Sequence, residues 1–174
     1  MKFELARSID FLGRTPQLLK TFIQDLPEDW VHATEGPDTW SAYDVIGHLI
    51  QGELNDWIPR AEIMLSDSVD KNFTPFDRFA QFELSKGKSL TQLLDEFALL
   101  RQKNLEILKS WNLTEADYSK TGIHPEFVKV TLEQLLATWV THDLGHIAQI
   151  SRVLAKQYKE AAGPWTAYIS VLNR

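Results

Sequence analysis

The sequence contains no cysteine among its 174 residues. Disulfide bridges, thiolate metal sites and a cysteine nucleophile are therefore excluded, and thiol chemistry would need a thiol from outside the chain. No apolar run approaches the length of a membrane span, and the N-terminal MKFELARSID lacks the apolar core of a secretory signal. We therefore expect a cytoplasmic location and no membrane partner.

Positive charge is also scarce, since 18 Lys and Arg stand against 24 Asp and Glu, for a formal net charge of −6. Affinity for nucleic acid depends on clustered basic side chains, so we expect no nucleic-acid partner. Low-complexity segments and internal repeats are missing as well. The length fits one domain over residues 1–174, which can bury an apolar core without a disulfide or a structural metal.

The sequence does contain a clear helical periodicity. Apolar residues recur at helical spacing in four segments: 5–24, 41 to beyond 57, 89–111 and 131–158. Ser41 and Asp44 form a predicted capping box, and Ser89 is a second N-cap. Pro16 and Pro59 predict a kink or an interruption in the first two helices. Because no strand-like alternation of useful length is present, we predict an all-α four-helix bundle.

The connections between these helices are long, at residues 26–40, 66–88 and 112–130. Such lengths predict crossover connections, so that sequential helices need not be antiparallel neighbours. Gly163 and Pro164 are expected to end the fourth helix, and the tail WTAYISVL to close the bundle as a short helix. The core is expected to contain most of the tryptophans: Trp40, Trp57, Trp139 and Trp165.

Three histidines lie on the apolar faces of two helices. In WVTHDLGHIAQI, His142 and His146 are four residues apart and share the stripe that carries Trp139 and Ile150. His48 shares a face of the second helix with other interior residues. Three neutral imidazoles can bind a divalent cation and leave coordination positions open. The alternative is that each is a core histidine whose ring nitrogens find protein partners, and spacing alone does not decide between the two.

Polar neighbours of the histidines are weaker candidates. Gln149 follows His146 by three residues on the same face, so it could orient a ligand histidine or bind metal-bound water, or it could face solvent. Glu53 and Asp143 are turned away from the histidines, and Glu53 is expected to pair with another helix. His124, which precedes a proline, is expected to anchor a loop. No residue is assigned a catalytic role.

The chain resembles the DinB/YfiT-like superfamily, in its DinB_2-type branch. The segments that carry the resemblance are WSAYDVIGHLIQGELNDWI, TGIHPEFVKVTLEQLLATWVTHDLGHIAQISRV and GPWTAYISVL. The resemblance implies a four-helix bundle with crossover connections, a metal ion bound by His48, His142 and His146, and a homodimer. One departure is Val128, which stands after HPEF where the resemblance predicts glycine.

Three functions follow as expectations. The family is similar in fold to transferases and isomerases that use small thiols such as bacillithiol or mycothiol. The first expectation is therefore an enzyme whose Zn²⁺ or Ni²⁺ ion activates a small-molecule thiol for transfer to a small-molecule substrate. The second is a metal-dependent hydrolase, and the third is a non-catalytic metal-binding or stress-response module. The absence of an obvious general base beside the histidines favours the thiol.

Overall fold

Four long helical segments form a bundle in this computed structural model, which describes residues 2–173. Its helices and strands are α1 (Leu5–Ile23), α2 (Glu28–Val31), α3 (Ala42–Asn55), α4 (Trp57–Leu65), α5 (Gln81–Ser85), α6 (Leu90–Ser110), β1 (Thr121–His124), β2 (Val128–Thr131) and α7 (Leu132–Lys156). The all-α bundle predicted from the sequence is thereby confirmed. No helix of the described residues is long and apolar enough to cross a membrane.

The packing of the long helices explains the long connections. Helix α1 packs against α6 and α7, and α3 also packs against α6 and α7. Consecutive long helices α1 and α3 therefore occupy opposite corners of the bundle, as do α6 and α7. A chain that moves from one corner to the diagonal corner must cross an end of the bundle, which confirms the crossover connections.

Hydrogen-bonded caps fix where three of the long helices begin. The Ser41 hydroxyl accepts the amide N–H of Asp44 at 3.2 Å, and the Asp44 carboxylate accepts the amide N–H of Ser41 at 2.9 Å. Ser89 starts α6 with the same reciprocal pair, and Thr131 starts α7. The two predicted caps are confirmed, and each satisfies amide donors that the first helical turn leaves without partners.

Of the kink or interruption expected at Pro16, the interruption does not occur, because α1 runs as one helix from Leu5 to Ile23. A proline has no N–H for the carbonyl one turn earlier, which here belongs to Leu12. Arg101 of α6 takes over that carbonyl, because its Nη1 donates a hydrogen bond of 2.8 Å to the Leu12 oxygen. The bond lost to proline is thus replaced across the bundle, and the helix continues to Ile23.

The second long helix breaks at Asp56 and not at Pro59, where we expected the bend. Asp56 has φ −113° and ψ −75° and separates α3 from α4. Pro59 is then the third residue of α4. In the first turn of a helix an amide N–H has no intrahelical acceptor, so proline costs nothing there.

A β-hairpin that the sequence did not predict precedes α7. Strands β1 and β2 pair antiparallel from Thr121 opposite Thr131 to His124 opposite Val128. Each strand has four residues, which is too short to show a reliable alternation. Val128 has a φ of +63°, a left-handed conformation that costs a β-branched residue free energy and glycine none. Glycine, the residue that the resemblance predicts at position 128, would adopt this conformation without that cost.

The C-terminal part of the chain differs from the prediction in detail. Helix α7 ends at Lys156, and Gly163 begins the first of two short 3₁₀ helices, Gly163–Tyr168 and Ser170–Asn173. Leu172 is buried, and the second 3₁₀ helix packs against α7. Trp165 is 70% exposed, so its assignment to the core is wrong, whereas Trp57 and Trp139 are buried.

The apolar core consists of two clusters at the two ends of the bundle. One surrounds Phe97 and Ile150, and the other surrounds Leu105 and Trp139. A short polar layer, which contains the buried residues Glu53, Arg101, Asn104 and Asp143, separates the two clusters along α3, α6 and α7, and His48 lies beside it on α3. The candidate site lies beside this layer.

Candidate metal centre

The structure brings the three interior histidines together. His48 comes from α3, and His142 and His146 from consecutive turns of α7. The Nε2 atom of His142 lies 3.1 Å from Nε2 of His48 and 3.1 Å from Nε2 of His146. One nitrogen from each ring lies within 4.8 Å of the other two. The three imidazoles therefore point at one another.

This spacing fits a shared metal ion. Zinc binds imidazole nitrogen at about 2.0–2.1 Å in tetrahedral geometry, which places neighbouring ligand nitrogens about 3.3 Å apart. Two of the three separations, each 3.1 Å, are close to that value, and the third is at most 4.8 Å. His48 is only 7% exposed, whereas His142 and His146 are partly exposed. The cluster is consequently closed on the α3 side and reachable past the α7 rings.

The three rings cannot satisfy one another by hydrogen bonding. The Nε2 atom of His142 carries either one proton or one lone pair, so it can serve only one of its two Nε2 neighbours. The Nδ1 atoms of His48 and His142 are buried, and neither has a hydrogen-bond partner in residues 2–173. Buried polar atoms without partners cost free energy. A cation that accepts all three Nε2 lone pairs removes the conflict at the centre.

Gln149 fixes the orientation of one ring. Its Oε1 lies 2.8 Å from Nδ1 of His146, one turn away on α7. Because a carbonyl oxygen only accepts, Nδ1 of His146 carries the proton and its Nε2 directs a lone pair toward the other histidines. This is the tautomer that a metal ligand requires. Of the roles expected for Gln149, the structure shows the contact with the histidine ring.

The histidines are neutral at physiological pH. Burial, followed by the charges of His146 and Arg78, lowers the pKa of His48 to about 3. Burial and the charges of His146, His48 and Arg101 lower the pKa of His142 to about 2. Burial also lowers the pKa of His146. Their lone pairs are therefore available without competition from protons.

Aromatic side chains form the walls of the cluster. The ring of Trp40 lies 4.8 Å from that of His48, and Phe76 contacts His48 edge to face at 5.6 Å. Trp57 contacts His142 at 5.1 Å between ring centroids. These walls exclude water from the sides of the cluster, which strengthens any electrostatic interaction inside it.

Glu53 and Asp143 belong to a separate buried network centred on Arg101. The guanidinium group is 1% exposed and lies 2.8 Å from Glu53 and 2.6 Å from Asp143. Glu53 also accepts hydrogen bonds from Trp139 Nε1 at 3.1 Å and from Asn104 Nδ2 at 2.9 Å. The expectation that Glu53 pairs with another helix is confirmed, but the sequence analysis missed Arg101 itself.

The remaining two histidines lie outside the cluster. His124 Nδ1 accepts the amide N–H groups of Glu126 and Phe127 at 3.1 and 3.3 Å, and its ring stacks on Phe127. It anchors the turn of the hairpin, as expected. His32 pairs with Glu28 on the surface.

A helical bundle with crossover connections that gathers three histidines from two helices in its interior defines a known class of protein. The model of the DinB superfamily matches residues 12–150. The chain belongs to this superfamily.

Curated relatives and a solved structure agree with this assignment. A Bacillus licheniformis protein, provisionally named a metal-dependent hydrolase, is 30% identical over 149 residues, which cover 84% of this chain and 83% of the relative. YfiT from Bacillus subtilis strain 168 carries the same provisional name and is 25% identical over 83% of this chain and 81% of its own. The solved structure of Bacillus subtilis YfiT, described as an unusual four-helix bundle, matches with a TM-score of 0.75 at 22% identity, over 90% of this chain and 89% of that one.

Proposed function

We propose that the chain is a metal-dependent enzyme in which His48, His142 and His146 bind one divalent ion, Zn²⁺ or Ni²⁺, and that the reaction transfers a small-molecule thiol to a small-molecule substrate. The observation that carries the proposal is the arrangement of three Nε2 atoms of which at most two can be paired by a hydrogen bond. Imidazole nitrogen is a ligand that suits both metals.

The residues of the site have separate tasks. The three imidazoles hold the ion, Gln149 keeps His146 in its ligating tautomer, and Trp40 and Phe76 exclude water beside His48. When bound, the metal lowers the pKa of a coordinated thiol or water toward neutrality. The partly exposed edges of His142 and His146 leave room for the reactants to approach.

The surroundings of the cluster favour a thiol over water as the nucleophile. Within residues 2–173 no carboxylate makes a hydrogen bond or an ion pair with the three histidines, and Glu53 and Asp143 are both bound to Arg101. Hydrolysis usually benefits from a general base, whereas a thiol with a lowered pKa reacts without one. Since the chain has no cysteine, the thiol must be a co-substrate.

Hydrolysis is the second candidate function. It is supported by the provisional names of the relatives from Bacillus licheniformis and Bacillus subtilis, both of which describe metal-dependent hydrolases. The same three histidines would hold the ion, and water would replace the thiol.

Metal analysis of protein purified without chelator tests the site. We expect one ion per chain in the wild type and none in His146→Ala. His124→Ala is the matched control, because His124 is a histidine that anchors the hairpin and lies outside the cluster. Full metal content in His146→Ala would contradict the proposed ligand set.

Activity assays then separate the two reactions. The metal-loaded protein should conjugate 2-mercaptoethanol or cysteine to 1-chloro-2,4-dinitrobenzene, and His146→Ala should lose this activity. Hydrolysis of 4-nitrophenyl acetate without conjugation would replace the transferase by the hydrolase. Metal binding without either activity would contradict both reactions and leave a metal-binding protein.

A further inference from the structure

A cavity of about 580 Å³ lies beside the histidine cluster. Two of its lining residues contact the candidate ligands directly. Trp40 packs against the ring of His48, and Gln149 is hydrogen bonded to His146. A molecule in this cavity would therefore be separated from the histidines only by side chains that touch them.

Arg152 and Glu35, which also line the cavity, neutralise each other. The Arg152 Nε and Nη2 atoms donate to the two carboxylate oxygens of Glu35 at 2.6 and 2.8 Å. Lys156 adds a second cation to the same carboxylate at 2.8 Å. These contacts lower the pKa of Glu35, with the Arg152 hydrogen bond as the largest cause. Glu35 is thus an anion held by two cations.

Arg78 is different from Arg152. It lines the cavity, and its guanidinium group lies 5.0 Å from the ring centroid of Phe79. The part of the chain that the structure describes gives it no carboxylate partner. The cavity also contains Asp38, which is exposed. The charged lining residues are thus two cations, Arg78 and Arg152, and two carboxylates, and since Arg152 is paired with Glu35, Arg78 is the lining cation without an ion-pair partner in residues 2–173.

The segment that carries Arg78 is fixed against the helix that carries His48. The Asp77 carbonyl accepts a hydrogen bond of 3.4 Å from Gln51 of α3, and the Asp77 carboxylate accepts the amide N–H of Phe79 at 2.9 Å. Phe76 of the same segment contacts the His48 ring. The backbone that carries Arg78 is therefore anchored near the cluster, while the Arg78 side chain is exposed and accessible to a ligand.

We propose that this cavity binds a carboxylate group of the small-molecule substrate or thiol, with Arg78 as the residue that determines this specificity and with Trp40 and Phe79 in contact with the apolar part of the molecule. The inference rests on the proposed metal-dependent function. A planar guanidinium matches a carboxylate with two parallel hydrogen bonds. The single charge of an unpaired guanidinium also balances one carboxylate better than it balances a doubly charged phosphate.

Calorimetry of the zinc-loaded protein with 6-mercaptohexanoate and with its neutral methyl ester tests the inference. The chain of this thiol is too long for its two ends to chelate one ion comfortably. Because a hydrogen bond to a charged group contributes about 1.5–3 kcal/mol, we expect wild type to bind the acid about 10–100-fold more tightly than the ester. Arg78→Gln should lose that preference and keep its metal content and its affinity for the ester.

Arg14→Gln is the matched control, since Arg14 is an exposed arginine of α1 that does not line the cavity. It should keep the preference of the wild type. Equal binding of acid and ester by wild type, or an unchanged preference in Arg78→Gln, would overturn the anion site while the thiol proposal stands. Inorganic phosphate that displaces the acid more effectively than acetate does would overturn the choice of carboxylate.

If the metal-loaded wild type binds neither the acid nor the ester, thiol transfer is contradicted instead. The anion site is then tested by hydrolysis of 4-nitrophenyl hydrogen succinate and of neutral 4-nitrophenyl butyrate, together with calorimetry of hexanoate. Wild type should prefer the anionic molecules and Arg78→Gln should not. Failure to discriminate here too would overturn the inference independently of the reaction.

Discussion

Two polar clusters sit side by side in the middle of the bundle, and consecutive residues of α7 belong to them: His142 to one and Asp143 to the other. In the second cluster, the five N–H bonds of Arg101 match five recorded contacts to Glu53, Asp143 and the Leu12 carbonyl. In the first, the Nδ1 atoms of two rings lack partners in the described chain, and the Nε2 atoms face one another.

This difference distinguishes buried polar residues that stabilise the fold from buried polar residues that bind a ligand. A buried cluster whose donors and acceptors are all paired is complete without a ligand, and it holds helices together. A buried cluster with several lone pairs directed at one point is incomplete without a ligand. The two can be told apart by counting hydrogen bonds, although they lie next to each other in the bundle.

The largest expected effect is on the complete cluster. Replacing Arg101 by methionine leaves Glu53 and Asp143 buried without their cation and leaves the Leu12 carbonyl without its donor. Breaking a buried ion pair in this way costs about 3–5 kcal/mol. Urea denaturation followed by circular dichroism measures the loss. Arg14→Met, which removes an exposed ion pair with Asp10, should cost less than about 1 kcal/mol.

If Arg101→Met were as stable as Arg14→Met, the complete cluster would not be what holds the four helices together. The Arg101 network would then contribute no more to the free energy of unfolding than a surface ion pair does.

The next effect concerns the incomplete cluster. Zinc at about 100 times its dissociation constant should stabilise wild type by about 2.7 kcal/mol, and chelator should remove this gain. His146→Ala with zinc should melt close to wild type with chelator, because the apolar core and not the metal supports the fold. Differential scanning calorimetry measures both melting temperatures. Unfolding of His146→Ala, with no response of wild type to chelator, would make His146 a packing residue.

A smaller effect concerns the hydrogen bond between His146 and Gln149, the one bond in residues 2–173 that joins a histidine of the cluster to a residue outside it. Gln149→Leu removes the acceptor of the His146 Nδ1 proton but keeps the three imidazoles. Loss of such an orienting partner typically weakens metal binding by about 10–100-fold. Competition with a chromophoric zinc chelator measures the affinity. Gln102→Leu, which removes an exposed glutamine of α6 paired with Glu106, should leave the affinity unchanged.

The smallest effect concerns backbone strain at Val128 and not a polar group. Val128→Gly should stabilise the protein by about 1 kcal/mol, because glycine adopts the φ of +63° at this position without the steric cost of a branched side chain. Val130→Gly in the same strand should destabilise it, because β2 there is ordinary strand. Thermal melts compare the two, and destabilisation by both would show that the Val128 side chain contributes more than its strain.

The helices and the three histidines could be predicted because both depend on residues close in sequence. Apolar periodicity places His48, His142 and His146 on interior faces, and the caps mark where helices begin. Arg101 carried the same signal, since it lies four residues after Phe97 and four before Leu105, both buried on α6. An arginine does not bind metal ions, so its position on that stripe did not identify it as a site residue.

The features that could not be predicted depend on contacts across the bundle. The continuity of α1 through Pro16 requires a donor 89 residues away in sequence. The break at Asp56 and the short hairpin likewise follow from packing and not from local propensity. Sequence periodicity contains no information on such contacts.

The Arg101 contacts have a consequence for the order of folding. They join Leu12 of α1, Glu53 of α3 and Asp143 of α7 to α6, with separations of 89, 48 and 42 residues along the chain. The loops that these contacts close are long, so the chain loses much conformational entropy before any of them forms. We expect the guanidinium to be bound only after all four long helices have met, in the last step of folding. Metal binding across α3 and α7 then takes place in a bundle whose helices are already locked together.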